Sequence, residues 1–550
     1  MKTRILFSLT AAIMLLTSSC EDNFDAKIYG ELLQGKYPST ENEYVSYMMI
    51  CYLPFTTPFT YTINEGTGMH GWYIATGGDI RFFDSTSDIM APGYTRCGGE
   101  WLQLSKANYE NCIHYWRGWV VDDSNPNHFM KTAEITRFTD IVNVLQNAPA
   151  NVLSEETRDA LLGEARLCRG MMMYYLMHVF GPVPVIVDPD KVFDDEAQRN
   201  TTRPTLDQMC GYIYDDLLFA ARHAPEVQTE KGRYTRDYAR FCLMRHCLNE
   251  GGHMPGYYDM GLEMFAELQG KYQLFTQGDN PCADLYKNAN KFNSEIIMAV
   301  SCDPLADGSP KHGNANILSM CTVPWDAAAL DPDDNPTVFF PQNGGWQAFY
   351  NVAKKFYDTF ENGDRRRDLI VTEWWNKSGE KVTANDLGTR WDGFICNKFP
   401  IETSGSFQGT DIPIARWADA LLMYAELSVR KTGSAPSGEA IDAVNQVRRR
   451  AGLPGLDASA TSSADSFLTA ILAERAHELY YEGCRKIDLI RFNRYARETS
   501  KVKGEVPTRQ YVPLPNYAVE AAGLANLRGG ACRRQRLQAR PVLFPPRLGS

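Results

Sequence analysis

The sequence predicts a mainly α-helical fold in which paired helices form the scaffold and long loops form a ligand face. Apolar residues recur at helical spacing through several segments, which is the pattern of helices with one buried side. Two stretches, 51–130 and 275–410, have little periodicity and are rich in Gly, Pro, Asn, Asp and aromatic residues. Because loops of that length inside a folded chain are usually functional, we expect them to carry short strands and to meet a ligand.

The clearest helix pattern covers residues 156–180 and stops at Gly181-Pro182, a pair typical of a helix C-terminus. Residues 206–221 and 238–248 also have helical spacing. Residues 417–451 predict a helix–turn–helix unit close to the ~34 residues of a tetratricopeptide repeat. An ordinary antiparallel helix pair would give the same pattern.

The composition excludes one class of partner. The chain has 550 residues, with 56 Lys and Arg against 67 Asp and Glu, so its formal net charge is −11. This balance argues against nucleic-acid binding, which needs a basic surface to neutralise phosphates. Apolar residues make up 44% and charged residues 22%, which disfavours a disordered chain.

The N-terminus has the pattern of a targeting segment. Lys2 and Arg4 precede an apolar run at 5–16, and small residues then lead to Cys20. The run is shorter than the ~20 residues that span a bilayer, and no later segment approaches that length. A Cys in this place resembles a bacterial lipobox, which predicts lipidation of Cys20 and an anchor in the outer membrane. The alternative is a plain secretory signal.

The C-terminal segment 518–550 differs in composition from the rest of the chain. It has six Arg and one acidic residue, Glu520, and it lacks Lys, Trp and Asp. A basic tail could bind a membrane or a nucleic acid. The abrupt change instead favours a segment that is foreign to the fold.

Several motifs follow one another in a fixed order along the chain. They are Glu164-Ala-Arg with its exit Phe180-Gly-Pro-Val-Pro184, Arg416-Trp-Ala-Asp-Ala-Leu-Leu-Met-Tyr-Ala-Glu426, Val444-Asn-Gln-Val-Arg-Arg-Arg-Ala-Gly-Leu-Pro454, the block from Ile471 to Arg491, and Tyr511-Val-Pro-Leu-Pro515. Each motif alone is weak, because helices share Leu, Ala and Glu. In this order, after a lipoprotein signal, the set resembles the SusD/RagB family of outer-membrane nutrient-uptake lipoproteins over about residues 20–517.

The resemblance implies a SusD-like helical scaffold and a role in nutrient capture. It implies a cell-surface receptor that binds oligosaccharides, or peptides in some members, and delivers them to a SusC-like TonB-dependent transporter. The atypical tail at 518–550 departs from the family pattern. Together with the N-terminal signal, the resemblance implies a signal peptide at 1–19, a lipidated linker at 20–45, a SusD-like N-terminal region at 46–300 and a C-terminal region at 301–517. It implies binding without covalent chemistry, hence no catalytic residue and no cofactor. A secreted helical glycoside hydrolase is the alternative from another class.

Oligosaccharide binding calls for exposed aromatic rings, on which sugar rings stack, and for polar neighbours that bond the hydroxyls. Eight aromatic residues of the loop-rich stretches are candidates: Trp72, Tyr73, Trp101, Trp325, Trp346, Trp374, Trp375 and Trp391. The predicted ligand-binding set is Trp72, Asp79, Arg81, Trp101, Trp325, Trp346 and Trp374. For any one Trp, local packing is the competing explanation, and Trp417 is assigned to a buried helix stripe.

Two loop motifs are weak. Residues 66–71 read G-x-G-x-x-G, but the sequence after them is not helical, as a dinucleotide site would require. Asp331-x-Asp333-x-Asn335 opens like a calcium loop, but Pro336 replaces the glycine of the sixth position. We therefore predict a loop turn at 66–71 and a solvated acidic loop at Asp331, with no metal at either place.

The cysteines and histidines raise the question of zinc. Cys242, His246, Cys247 and His253 have a suggestive spacing, but Cys247 would point away from the helix face of the others. The cysteines are otherwise scattered, with no C-x-x-C, so we expect small apolar core residues without disulfide bonds.

A cluster of charges marks the block that starts at Ile471. The cluster comprises Glu474, Arg475, Glu478, Glu482, Arg485 and Asp488. Charges three or four positions apart can pair along a helix for ~0.2–0.5 kcal/mol each, so we expect a structural role for these carboxylates and not a catalytic one.

Overall fold

The computed structural model describes residues 37–56, 71–75, 77–92, 99–109, 128–199, 201–303, 314–345, 350–383, 393–405, 407–507 and 509–514. The chain divides into two compact units, Met1–Tyr47 and Met48–Ser550. Cys20, the motif at 66–71 and the segment 518–550 lie outside the described residues. The region boundary at residue 300 stays a prediction.

Helices dominate the described residues, which confirms the predicted fold class. They are α1 (Glu41–Met49), α2 (Leu53–Thr56), α3 (Gly99–Ser105), α4 (Thr132–Gln146), α5 (Glu155–Phe180), α6 (Asp195–Arg199), α7 (Leu206–His223), α8 (Arg236–Glu250), α9 (Tyr257–Leu268), α10 (Pro281–Asp284), α11 (Leu318–Thr322), α12 (Lys354–Tyr357), α13 (Trp417–Thr432), α14 (Gly438–Arg450), α15 (Ala464–Leu479), α16 (Arg485–Arg491) and α17 (Tyr495–Lys503). Among these residues, none of the helices combines the length and the apolarity needed to cross a bilayer.

The long helices pack on one another nearly in chain order. Helix α4 packs on α5, α5 on α7, α7 on α8, and α8 on α9. Helix α13 then packs on α9 and also on α14 and α15. The predicted helix–turn–helix unit at 417–451 is therefore present as the pair α13 and α14.

Local sequence fixes the ends of these helices. The Ser154 hydroxyl accepts a hydrogen bond from the Thr157 N–H at the start of α5, and Thr205 and Gln208 form a reciprocal capping box at the start of α7. Helix α5 ends at Gly181, whose φ of 76° is a left-handed conformation that glycine adopts without strain.

The strands are short, and all of those described except β7 lie in the predicted loop-rich stretch 275–410. They are β1 (Ile296–Val300), β2 (Asn351–Ala353), β3 (Ile370–Val371), β4 (Glu373–Trp375), β5 (Lys381–Thr383), β6 (Gly393–Cys396) and β7 (Ile412–Arg416). Strands β1 and β7 pair, β6 lies between β2 and β3, and β4 pairs with β5, all antiparallel.

The ten described cysteines are free, and nine of them are buried. The expectation of apolar core residues is confirmed for the nine buried ones, while Cys484 is half-buried. Burial raises the pKa of the Cys242 thiol to about 12, so it stays protonated and inert.

A buried network of ion pairs joins the strands to the helices. Arg416, the last residue of β7, has no exposed surface and donates to Glu295 at 2.5 Å, Glu478 at 3.0 Å and Glu482 at 2.7 Å. The Lys398 ammonium donates to Glu482 at 2.6 Å. Residues from four separate parts of the chain thus share one buried cluster of charges.

The network extends to α14 and to the turn before β3. Arg450 donates to Glu478 and, at 3.0 Å, to Glu295. Arg366 donates to Glu474 at 2.6 Å and to Glu478 at 3.2 Å. Burial raises the pKa of Glu478, but Arg450, Arg416 and Arg366 outweigh it and hold that pKa well below its usual range.

A second buried cluster joins α13 to α16. Arg475 donates to Asp419 at 2.6 Å and to Asp488 at 2.8 Å, and Arg491 binds Glu426 through two nitrogens. Burial opposes ionisation of Glu426, but Arg491 and Arg430 lower its pKa to about 2. The structural role expected for the charged block is present. The expected pairing along one helix is wrong for most of it, because the partners come from other elements.

We expect Glu478→Gln to lower the free energy of unfolding by about 3–5 kcal/mol, because it leaves three buried guanidinium groups without their shared carboxylate. Urea unfolding followed by circular dichroism measures this change. Glu263→Gln, at an exposed position of α9, is the control and should change the value by at most about 0.5 kcal/mol. Equal stability of the two variants would contradict a stabilising role for the network.

Candidate functional site

Of the predicted ligand-binding aromatics whose side chains the structure describes, Trp325 is the one that lies at the surface. Its side chain is 45% exposed. The Trp325 carbonyl accepts from the Lys377 ammonium at 2.8 Å, and the Asp326 carbonyl accepts from the Lys377 N–H at 2.7 Å. The backbone of the Trp325 loop is therefore tied to the turn between β4 and β5.

A small apolar core lies under this loop. It consists of Val323, Ala327, Phe339, Val371, Trp374 and Ile395. The Ala328 N–H donates to the Trp375 carbonyl at 2.8 Å, and the Gly345 N–H donates to the Pro324 carbonyl at 3.0 Å. Buried residues on both sides of Trp325 thus hold the loop while its ring faces solvent.

The same loop carries further exposed apolar side chains. Of the nine large hydrophobic residues exposed in the described part of the chain, four lie between positions 325 and 340: Trp325, Leu330, Val338 and Phe340. Exposed apolar residues concentrated in one segment are typical of a binding surface. Lys377 and Asn343 are exposed nearby in the fold and can bond polar groups of a ligand.

Trp72 is placed differently from its prediction. Its ring has no exposed surface and stacks on Tyr175 of α5, with 4.8 Å between ring centroids. The prediction of an exposed ring is wrong for Trp72 because packing on Tyr175 and Phe82 encloses it. Tyr73 is buried in the same way.

Asp79 and Arg81 are also buried. Asp79 accepts a hydrogen bond from the Ile80 N–H at 2.8 Å at the start of a π-helical turn, Ile80–Asp84, and Arg81 lies beside Tyr350. The expectation that these two polar side chains reach a ligand is wrong in this conformation, since the turn directs them into the protein.

Trp374 is a core residue. It is 3% exposed because its ring belongs to the apolar core under the Trp325 loop. Its neighbour Trp375 is half-buried. The side chain of Trp101 and all of Trp346 and Trp391 lie outside the described residues, so their roles stay predictions.

Two cavities differ in what they can hold. One of about 20 Å³ is lined by Asp79, Tyr73, Arg245 and Glu482, and has room for about one water molecule. Burial raises the pKa of Asp79 to about 8, as expected for a carboxyl group enclosed there. A space of this size excludes a sugar ring.

The other is an open pocket of about 520 Å³ between α9, α13 and α14. Its aromatic wall includes Phe265 and Tyr424, which stack with centroids 4.2 Å apart. Trp417, which also lines it, is 5% exposed, so its assignment to a buried stripe is confirmed. Sequence reasoning missed this pocket because its walls come from helices distant in the chain.

The structure shows the contacts made by the calcium-like loop at Asp331 and by the Cys and His residues. The Asp331 carboxylate accepts from the N–H groups of Asp333 and Asn335 at 2.9 and 2.8 Å and so closes a turn on itself. Among the described residues, the ligand atoms that come together are those of Cys210, Glu250 and His253. Of the four residues with the suggestive zinc spacing, only His253 belongs to this group.

Two family models match this chain. The model of the SusD family matches residues 306–521, and a model described as starch-binding associating with outer membrane matches residues 102–243. The chain belongs to the SusD family.

Two relatives from other bacteria are SusD-like proteins. One from Formosa agariphila is 23% identical over 368 residues, which cover 64% of this chain and 70% of the relative. One from Bacteroides ovatus is 24% identical over 385 residues, which cover 66% of this chain and 64% of the relative.

Solved structures share the SusD fold over most of the chain. A laminarin-binding SusD-like protein aligns with a TM-score of 0.66 at 20% identity and covers 88% of this chain and 98% of its own. Surface glycan-binding protein A from Bacteroides thetaiotaomicron, in complex with laminarihexaose, aligns with a TM-score of 0.63 at 17% identity and the same coverage. At these identities the likeness shows the fold alone.

We expect Asp79→Asn to stabilise the protein increasingly as the pH rises from about 4 to about 8. Below pH 4 the carboxyl is neutral in both states, but between its ordinary pKa of 3.8 and its folded pKa of about 8 only the unfolded chain is ionised. The wild type therefore loses stability over this range, while the variant, which keeps the acceptor for Ile80, does not.

Urea unfolding of both proteins at several pH values gives this difference. Asp190→Asn, at an exposed carboxyl, is the control and should give a flat difference. A flat difference for Asp79→Asn as well would show that Asp79 is ionised in the folded protein.

Proposed function

We propose that this SusD-family protein captures oligosaccharides at the cell surface and delivers them to a SusC-like TonB-dependent transporter. The observation that carries the proposal is Trp325, an exposed indole fixed on a loop that the protein core and Lys377 hold in place. A flat apolar ring with hydrogen-bonding neighbours matches the two faces of a sugar, whose C–H groups stack and whose hydroxyls bond.

The comparisons support a glycan as the ligand. One family model is described as starch-binding, and proteins of the same fold bind laminarin and laminarihexaose. Starch and laminarin are both polymers of glucose, so glucose oligosaccharides are the first ligands to test.

The place of action follows from the N-terminus. Lipidation of Cys20 would anchor the protein in the outer membrane, with its folded part facing the cell exterior. The family description of association with the outer membrane supports this location. The partner transporter would then receive the ligand from the loops that carry Trp325.

The charged block does not favour hydrolysis. A glycosidase needs two carboxyl groups that reach a glycosidic bond. Glu474 and Glu478 are buried and bonded to arginines, and the pKa of Glu478 is held low by those arginines, which makes it a poor proton donor. Binding without cleavage is the function that these residues support.

We expect Trp325→Ala to weaken oligosaccharide binding by about 2 kcal/mol, roughly thirtyfold, because the stacking surface is removed. Isothermal titration with laminarihexaose, maltohexaose and other oligosaccharides measures the change. Phe193→Ala removes another exposed aromatic ring, one outside this loop, and should leave the affinity unchanged.

Full affinity in Trp325→Ala would contradict stacking on this ring. Binding of peptides with no binding of any glycan would favour the peptide receptor. Release of reducing sugar would favour the hydrolase.

A further inference from the structure

Three potential metal ligands meet where α7 packs against the end of α8. The Cys210 Sγ lies 3.7 Å from Glu250 Oε2, and His253 Nε2 lies 2.7 Å from the same oxygen. The three ligand atoms all lie within 4.8 Å of one another. A thiol, an imidazole and a carboxylate therefore converge on one point.

The helices hold these side chains in place. Cys210 has no exposed surface and lies in the second turn of α7, while Glu250 is the last residue of α8 and is 3% exposed. His253 lies in the turn after α8, and its backbone N–H donates to the Glu250 carbonyl at 3.1 Å. The convergence thus rests on packed helices and a hydrogen-bonded turn.

A second carboxylate orients the imidazole. Asp207 Oδ1 lies 3.1 Å from His253 Nδ1. Because a carboxylate only accepts, Nδ1 donates to Asp207 and Nε2 donates to Glu250, and an ion in the site would take the place of the Nε2 proton. Zinc-binding histidines are commonly held in this way, with the far ring nitrogen donating to a carboxylate.

We propose that Cys210, Glu250 and His253 form a Zn²⁺ site, with Asp207 as a positioning residue. Thiolate, imidazole and carboxylate are the side-chain ligands that Zn²⁺ takes, and three of them leave a fourth position for water. The thiolate and the imidazole select zinc over Ca²⁺ or Mg²⁺, which prefer oxygen ligands.

Two of the three distances between ligand atoms come close to those of a tetrahedral ion. With Zn–S of about 2.3 Å and Zn–N or Zn–O of about 2.0 Å, ligand atoms stand about 3.3–3.6 Å apart. The 3.7 Å between sulfur and oxygen already fits, and the 2.7 Å hydrogen bond from nitrogen to oxygen must open by well under 1 Å. His253, with 26% of its side chain exposed, gives the ion a path from solvent.

The site would act as a clip between helix α7 and the end of helix α8. Its ligands come from α7 on one side and from the end of α8 and the turn after it on the other. An ion that binds only the folded chain stabilises it according to its concentration and affinity. We infer a structural ion remote in sequence from the Trp325 loop and independent of glycan binding.

The test is zinc titration of the untagged, chelator-treated mature protein against a chromogenic competitor. The wild type should bind one Zn²⁺ per chain with a raised melting temperature, and Co²⁺ in its place should show a thiolate-to-cobalt charge-transfer band. Cys210→Ser should abolish that band, and His253→Gln should weaken zinc binding at least tenfold, on the order of the effects seen for metal-site residues.

Controls separate the site from general effects. Cys242→Ser removes another buried cysteine and His223→Gln another partly exposed histidine, and both should keep wild-type zinc affinity. Asp207→Asn should bind zinc roughly tenfold more weakly while keeping the cobalt band, because Asp207 orients His253 but is not itself a metal ligand. Calcium should not compete.

The absence of stoichiometric zinc binding in the wild type would overturn the proposal. Unchanged zinc affinity in His253→Gln would also overturn the proposal. Because His253 is partly exposed, this variant still tests the site even if Cys210→Ser fails to fold.

Discussion

Arg416 and Glu478 form the ion pair on which the rest of the structure depends. Arg416 ends β7 and immediately precedes α13, and Glu478 lies near the end of α15, so their 3.0 Å bond joins the small sheet to the helix pairs. Arg450 brings in α14 and Arg366 the turn before β3. Taking so many charges out of water is costly, and the cost is offset only when each has its partners in place. Such a network favours one arrangement of the elements over others in which a charge would be stranded.

The buried ion-pair network helps to explain how the loops that carry Trp325 are held in place. Loops without regular structure lose conformational entropy on ordering, and something must hold them. Here the apolar core around Phe339 and Ile395 includes residues of strands β3 and β6, and Lys398, just after β6, bonds to Glu482. The exposed ring of Trp325 is therefore carried on a supported loop. Preorganised aromatic surfaces bind with less entropic cost than mobile ones.

Helices whose signals are local in the sequence could be predicted. Helix α5 was predictable because its apolar stripe and its Gly181-Pro182 end are local signals, and the α13–α14 pair because its length matches a known repeat. The partners of Glu478 were not predictable, since Arg366, Arg416 and Arg450 lie in other elements and only the fold brings them together. The burial of Trp72 and Trp374 was missed for the same reason. Trp72 and Trp325 both lie in loop-rich sequence, but Tyr175 of a distant helix encloses one of them and not the other.

A crystal structure of the protein with a bound oligosaccharide is the most direct test of the central claim, that the helical body supports a loop face on which Trp325 binds sugar. The account predicts a pyranose ring stacked on the Trp325 indole, with carbon atoms of the two rings about 4 Å apart. A sugar bound elsewhere, such as in the pocket between α9, α13 and α14, with the Trp325 ring left bare, would contradict it.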